Sequence, residues 1–381
     1  LLLEINQEEL EIAKGNYHSR PDGLQFLNPE HPYSLDIDLF GTGSFFQYIN
    51  RTATEEGTTL LAKKLLANDI EHIVEKQEAV KALSQQNQWC QEFSAMAKMI
   101  DSEYSSTAIL TWLKIYRRKF SKMHLRLSAL FSAASLILFA LVAAQSLSVL
   151  YLGYWLLFGL TVSALFLKNV NKLSSQSSKA KDVLKSYAKL LSSIETSQFK
   201  AELLKEKQAQ IMQDGHKASK VLQQFSSYID RLDNRNNLIW ALLANGFFLT
   251  DLRQSYHIEK WMSKHSHLVE TWFETISFFD AFNTLGCYAF NHPTAVFPEI
   301  RPMDAATISA NDLAHPLIMP NKRIPSDVSI NEQQFFIVTG ANMAGKSTFL
   351  RTIGLHIVMA NVGLPVCATQ SIYKPIKLIT S

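Results

Sequence analysis

Cysteine is scarce in this sequence. Cys90, Cys287 and Cys367 lie far apart, and no two of them form a C-x-x-C pair. That spacing argues against a disulfide framework and a thiolate zinc site, and it suits a reducing compartment. A dominant charge is also missing: 37 Lys and Arg against 34 Asp and Glu leave +3, so no global imbalance points to nucleic acid. The opening "LLLEINQEELEIAKG" is not a signal peptide, and with no initiator Met it reads as a start inside a longer chain. At 381 residues, two or three domains are expected.

The largest absence is local. From Leu127 to Leu167, 41 residues pass without one Asp, Glu, Lys, Arg or His. A spanning helix needs about 20 apolar residues, so the run predicts a transmembrane hairpin, Leu127–Ala144 and Ser148–Leu167, turned by "QSLS". Basic residues flank it on both sides, "KIYRRKFSKMHLR" before and Lys168, Lys172, Lys179, Lys181 and Lys185 after. The positive-inside tendency then keeps both ends in the cytoplasm, with Tyr151, Tyr154 and Trp155 toward the far interface. The alternative, a buried hairpin of a soluble core, would usually keep a polar stripe. Ala129/Ala133 and Ala140/Ala144 offer small residues for close helix packing.

The flanking arms read as helices. "TATEEGTTLLAKKLL" has Thr54 as N-cap and acids in its first turn. "DIEHIVEKQEAVKALSQ" follows with Asp69 as cap and Ile70, Ile73, Val74, Val80 and Leu83 on one face. From Lys168 to Asp233 an apolar stripe (Val183, Leu184, Tyr187, Leu190, Leu191, Ile194) predicts one or two long amphipathic helices, broken near Gly215. Their lysines suit phosphate or anionic lipid, or simply a solvated face. Asn237–Phe290 is a helical block whose aromatics, from Trp240 to Phe279, read as core. His257, His265 and His267 have no carboxylate or Cys at metal-ligand spacing.

Near the end stands "FFIVTGANMAGKSTFLRT". Gly340-Ala341-Asn342-Met343-Ala344-Gly345-Lys346-Ser347 matches G-x-x-x-x-G-K-S/T at each fixed position. Glycines let backbone N–H groups close around phosphates, Lys346 would reach the β and γ phosphates, and Ser347 would ligate Mg²⁺. "QQFFIV" reads as the preceding strand and "STFLRTIGLHIVMANVG" as the following helix, whose N-terminal dipole favours the anion.

These residues resemble the MutS family of DNA mismatch-repair ATPases. "TGANMAGKSTFLR" is similar to the family's T-G-P-N-M-G-G-K-S-T, with Ala341 and Ala344 in place of Pro and Gly. "AHPL" (Ala314–Leu317) looks like the R-H-P that opens the ATPase domain. "RIPSDVSI" resembles the segment that runs beside adenine, with Arg323 for the usual aromatic and Ser326 for Asn. "LDIDLFGTGSFFQYINRTATEEGTTLLAKKLL", "VEKQEAVKAL" and "LVETWFETISFFDAFNTLGCYAF" look like the helical core and lever. About half of the chain is covered. The family's mismatch-reading domain, with its F-x-E wedge, has no counterpart before residue 30, and Phe297–Glu299 matches the wedge only by coincidence. The apolar hairpin stands where the family has a DNA clamp. "YKPIKLITS" is similar to a strand that leads on to the Walker B acid, which does not follow here.

The expected fold is therefore mainly α, with a helical core and lever (1–126 and 168–300), a transmembrane hairpin (127–167) and the first part of an α/β P-loop ATPase domain (301–381). The resemblance implies ATP and Mg²⁺ as cofactors and ATP-dependent binding of mismatched DNA through core and lever. It also implies homodimerisation in the complete protein. The nucleotide would be held by Gly340, Ala341, Asn342, Met343, Ala344, Gly345, Lys346, Ser347, Thr348 and Ile324. The hairpin implies a cytoplasmic-membrane protein with core and ATPase domains facing the cytoplasm. A membrane-anchored mechanical or scaffold ATPase that does not bind DNA is the alternative, and in either case this segment alone is not expected to hydrolyse ATP.

Overall fold

The computed structural model describes residues 1–100, 105–212, 217–303, 306–332, 334, 337–341 and 344–380. The chain is mainly helical with a small mixed sheet, and it divides into two compact units. The first comprises 1–98, 197–209 and 274–381; the second comprises 99–196 and 210–273.

The first unit begins with α1 (Leu2–Ala13), α2 (Phe45–Ile49), α3 (Glu55–Leu66), α4 (Ile73–Ser84) and α5 (Asn87–Lys98). Thr54 caps α3 as the sequence suggests, its hydroxyl accepting from Gly57 N at 3.0 Å. Asp69 does not cap α4. Its carboxylate accepts from Glu71 N and pairs with Lys76, and the helix starts only after His72, which turns in the left-handed region at φ 53°. That start puts Ile73, Gln77 and Val80 on the buried face and leaves Val74 exposed.

The second unit contains α6 (Ser106–Ile115), α7 (Lys122–Ala143) and α8 (Leu150–Thr196). Ser121 and His124 close a capping box at the start of α7. Its end turns through Gln145 at φ 57°, within the predicted "QSLS". Both helices are long and apolar enough to cross a membrane. The long α8 runs on without a break from the apolar stretch into the amphipathic one, where Val183, Leu184, Tyr187, Leu190, Leu191 and Ile194 are all buried. The first interruption comes at 197–201, before α9 (Glu202–Gln210); Gly215 lies outside the described residues. The stripe resumes in α10 (Ala218–Asp233), which packs along α8. Glu195 of α8 accepts from Ser219 N at 2.9 Å and from the Ser219 hydroxyl at 2.5 Å.

α11 (Leu238–Phe248) and α12 (Thr250–Asn291) complete the helices before the sheet. The aromatics of this block are largely buried, but Trp240 is 55% exposed, a departure from the core reading. The alanines of α7 do not make its interface either: Ser128, Phe131 and Ser135 are buried, while Ala129, Ala133 and Ala140 face outward. Ser128 and Ser135 do so because each donates to a carbonyl of α11 or of the residue after it.

The sheet belongs to the first unit. β1 (Glu299–Ile300), β2 (Ala306–Leu313), β3 (Ser326–Asn331) and β4 (Gln370–Tyr373) lie in the order β1-β4-β2-β3. β4 is parallel to β1 and antiparallel to β2, with Ser309 opposite Ile372, and β2 pairs antiparallel with β3, Ala310 opposite Val328. Two sequence readings fail here. The predicted strand at "QQFFIV" is not formed at Gln334, Ile337 or Val338, and Ile337 is 74% exposed (Phe335 and Phe336 lie outside the described residues). A strand needs a ladder partner, and none of the four strands is hydrogen-bonded to it among the described residues. The strand expected at "YKPIKLITS" lies earlier, and it ends at Tyr373, before Pro375, which has no N–H to donate.

Candidate functional site

Gly340, Ala341, Ala344 and Gly345 lead into α13 (Lys346–Asn361). Gly345 occupies the N-cap position at φ 82°, ψ 10°, in the left-handed region, with nothing within 4 Å of where a Cβ would stand. Glycine is therefore required by backbone conformation and not by space. The first helical bond is Phe349 N to Gly345 O at 2.9 Å, and no side chain caps the turn. Its leading N–H groups are thus left for another acceptor. The Lys346 ammonium folds back over the loop and donates to Gly340 O at 2.5 Å and Ala341 O at 2.7 Å. Ala344 closes a turn on Ala341 O at 3.3 Å, and Ser347 and Thr348 are exposed.

The structure thus gathers Gly340, Ala341, Gly345 and Lys346 around one set of backbone groups. Asn342 and Met343 lie outside the described residues. Ile324, the residue assigned to the base, is 88% exposed at the end of the turn before β3. An uncapped helix start, a lysine held by exchangeable carbonyl contacts and an adjacent exposed hydroxyl fit a phosphate chain with its cation.

The helix is fixed firmly behind this loop. His356 is buried and shares a hydrogen bond with Ser371 Oγ of β4 at 2.9 Å. Tyr373 OH donates to Asn361 Oδ1 at 2.7 Å, and Asn361 Nδ2 donates to Ile376 O at 3.0 Å. Burial pushes His356 down to about 4, so it packs as a neutral ring. On its other face, a Cβ at Gly354 would stand 2.6 Å from Ile37 Cγ2, and Arg351 pairs with Asp38 at 2.6 Å. The "LDIDLF" segment therefore forms a floor under α13, a role not visible in its sequence.

Arg323 is another residue whose role the sequence does not show. Its guanidinium donates to Ile318 O at 2.5 Å and Pro316 O at 3.1 Å, tying down the "AHPL" turn, in which His315 Nδ1 accepts from Leu317 N. Burial, with Arg351 and Arg323 nearby, lowers His315 to about 4. Behind this turn lies a cavity of about 710 Å³ bordered by Tyr48, His292, Pro316 and Arg323, and none of the described residues of 340–348 lines it. Deeper in the first unit, Asp280 is fully buried. It accepts from Ala53 N at 3.1 Å, Thr54 N at 2.8 Å and Thr54 Oγ1 at 2.6 Å. A Cβ at Gly57 would fall 2.2 Å from Asp280 Oδ2. The "RTATEEG" segment thus owes its threonine and glycine to a carboxylate 226 residues away.

Comparison with known proteins finds sequence similarity in this region. A family model for MutS domain V matches residues 336–381. The endonuclease MutS2 of Shouchella clausii is 40% identical over 68 residues, 18% of this chain and 9% of that protein. The DNA mismatch repair protein MutS of Thermotoga maritima is 32% identical over 116 residues, 29% of this chain and 14% of that protein. The human MutS protein homolog 4 is 31% identical over 140 residues, 34% of this chain and 14% of that protein. The chain spans only 9–14% of the length of these relatives. Over residues 336–381 the chain is thus similar to MutS domain V, and over as much as a third of its length to MutS-family proteins.

Proposed function

We propose that this chain carries the nucleotide grip and part of the core–lever scaffold of a membrane-tethered, MutS-type ATPase that binds DNA under ATP control. The observation that carries the reading is the loop 340–348 at the uncapped start of α13, in the segment similar to MutS domain V. Gly340, Ala341, Asn342, Met343, Ala344 and Gly345 would wrap the phosphates. Lys346 would exchange its two carbonyl contacts for phosphate oxygens, Ser347 would hold Mg²⁺, and Thr348 and Ile324 would border the nucleotide. ATP with Mg²⁺ would supply the phosphoryl chemistry; the residues of this chain bind and orient. Family likeness supports a homodimer in the complete protein.

The tether rests on α7 and the first half of α8. Both are long and apolar enough to span, and both carry bulky apolar side chains outward, among them Leu130 (72% exposed), Ile137 (61%), Leu157 (61%) and Leu165 (76%). Charged residues begin only at Arg126 and Lys168. This favours a cytoplasmic-membrane location with the remaining parts on the cytoplasmic side. The same observation favours a second reading, an anchored scaffold or mechanical ATPase that does not bind DNA.

The grip is tested by ATP titration of the complete protein. Losing a charged hydrogen bond costs about 1.5–3 kcal/mol, so Lys346→Ala should weaken ATP binding by roughly 10- to 150-fold. Unchanged affinity would refute the assignment. DNA binding separates the two readings: affinity that falls with salt and changes with ATP supports the repair-type protein. No binding at low ionic strength leaves the scaffold.

A further inference from the structure

We infer that α11 is a third bilayer-inserted segment, a re-entrant helix that enters from the basic side of the hairpin and turns back on that same side among lipid acyl chains. The inference rests on the membrane reading of α7 and α8. No charged residue interrupts "LIWALLANGFF". At about 1.5 Å per residue, its 11 residues cover roughly half of the ~30 Å hydrocarbon core.

Its depth follows from ring contacts within the second unit. His124 of α7 meets Phe166 of α8 at 5.1 Å, and Phe131 stacks on Trp155 at 4.6 Å, so the two helices run antiparallel. Before α11, Arg235 donates to Asn171 Oδ1 at 2.7 Å, which sets the entry beside Lys168 and Lys172. At the other end Gly246 meets α8 at Gly159, where a Cβ would fall 2.0 Å from Gly246 O. Phe247 lies 4.8 Å from the ring of Phe139. The helix thus runs from the charged flank into the apolar stretch, and its end lies against Ser128 to Ser135 of α7.

Two features suit hydrocarbon. Leu238, Ile239, Trp240, Leu242 and Leu243 face outward, continuing the exposed apolar surface of the hairpin. Three carbonyls at the helix end are answered by serines of α7: Ser135 donates to Phe247 O at 2.5 Å, Ser132 to Phe248 O at 3.2 Å, and Ser128 to Phe248 O and Leu249 O. Trp155 Nε1 in turn donates to Ser135 Oγ at 2.7 Å. A helix end facing water would not need this serine ladder, whereas one at membrane depth does. The chain reverses at Leu249, in the left-handed region at φ 47°, and Asn245 Oδ1 closes the turn on Asp251 N at 2.9 Å. Arg235 pairs with Asp251 at 3.6 Å, and Arg253 donates to Ser132 Oγ at 2.8 Å, so the charges at the turn are held by groups of the protein.

The complete protein, reconstituted in phosphatidylcholine–phosphatidylglycerol vesicles with and without brominated acyl chains, tests this. Trp155→Phe and Trp240→Phe report the two tryptophans by difference. Lipid bromine should quench Trp155 and Trp240 alike, so each substitution should remove a quenchable component. Iodide in the aqueous phase should leave Trp240 untouched. If Trp155 is quenched by bromine and Trp240 is reached by iodide, α11 lies outside the bilayer and the inference fails while the hairpin stands. If neither quencher reaches Trp240, a protein partner covers α11 and the inference also fails. If bromine quenches neither tryptophan, the membrane reading falls with it.

Discussion

Replacing Asp280 by Ala tests the architecture that holds the first unit. The carboxylate serves Ala53 N, Thr54 N and Thr54 Oγ1, all inside the protein. Each buried donor left without a partner costs about 1–3 kcal/mol, so three together should cost on the order of 3–9 kcal/mol. The effect should also depend on pH. Burial raises the Asp280 pKa to about 6 from a reference of 3.8, against the pull of the Thr54 and Ala53 donors. The folded protein therefore holds this proton more tightly than the unfolded chain. Stability from the group is fully present below the unfolded value and is lost as pH rises through about 6. Between pH 7 and pH 5 the gap between wild type and Asp280→Ala should widen by about 1.4 kcal/mol. Hydrogen exchange reads this locally, through the amides of α3 after correction for intrinsic rates. Protection there should fall by roughly a hundredfold or more. A loss below about threefold, or a gap that narrows on acidification, would refute the reasoning.

Further expectations concern single residues. Gly57→Ala should destabilise by about 1–3 kcal/mol although Ala is the better helix former, because its Cβ would displace the Asp280 carboxylate. In an Asp280→Ala background the same change should be nearly neutral, which a double-mutant cycle measures. His356, held near 4 by burial, contributes stability present above about 6.5 and lost as pH falls toward 4. That loss, on the order of 3 kcal/mol, should be absent from the acid side of the denaturation profile of His356→Gln. Glu259→Ala should loosen the entry to α7, since Lys119 N, Phe120 N and Tyr116 OH all donate to that buried carboxylate. Exchange at residues 119–124 would report it.

The parts legible in the sequence are those written locally. The hairpin shows itself by missing charge, and its turn falls within a few residues of the predicted one, because hydrophobicity and helix length are properties of one segment. Thr54 as a cap and α13 as a helix follow from short-range patterns for the same reason. What escaped depends on partners distant in sequence. Asp280 explains Gly57, and Gln77 is fixed by Pro298 O at 2.9 Å. Gln334, Ile337 and Val338 form no strand because β-branched and aromatic residues favour one only where another strand pairs with it. Asp69 failed as a cap because its carboxylate found a nearer N–H at Glu71.

The central claim, a MutS-type nucleotide grip on a membrane-tethered chain, is tested most directly by vesicle flotation of the complete protein with labelled ATP and Mg²⁺. Wild type should float with ATP bound. Lys346→Ala should float without it, and protein lacking residues 127–167 should bind ATP but stay with the soluble fraction. Wild type that remains soluble, or Lys346→Ala that carries ATP as well as wild type does, would contradict the account.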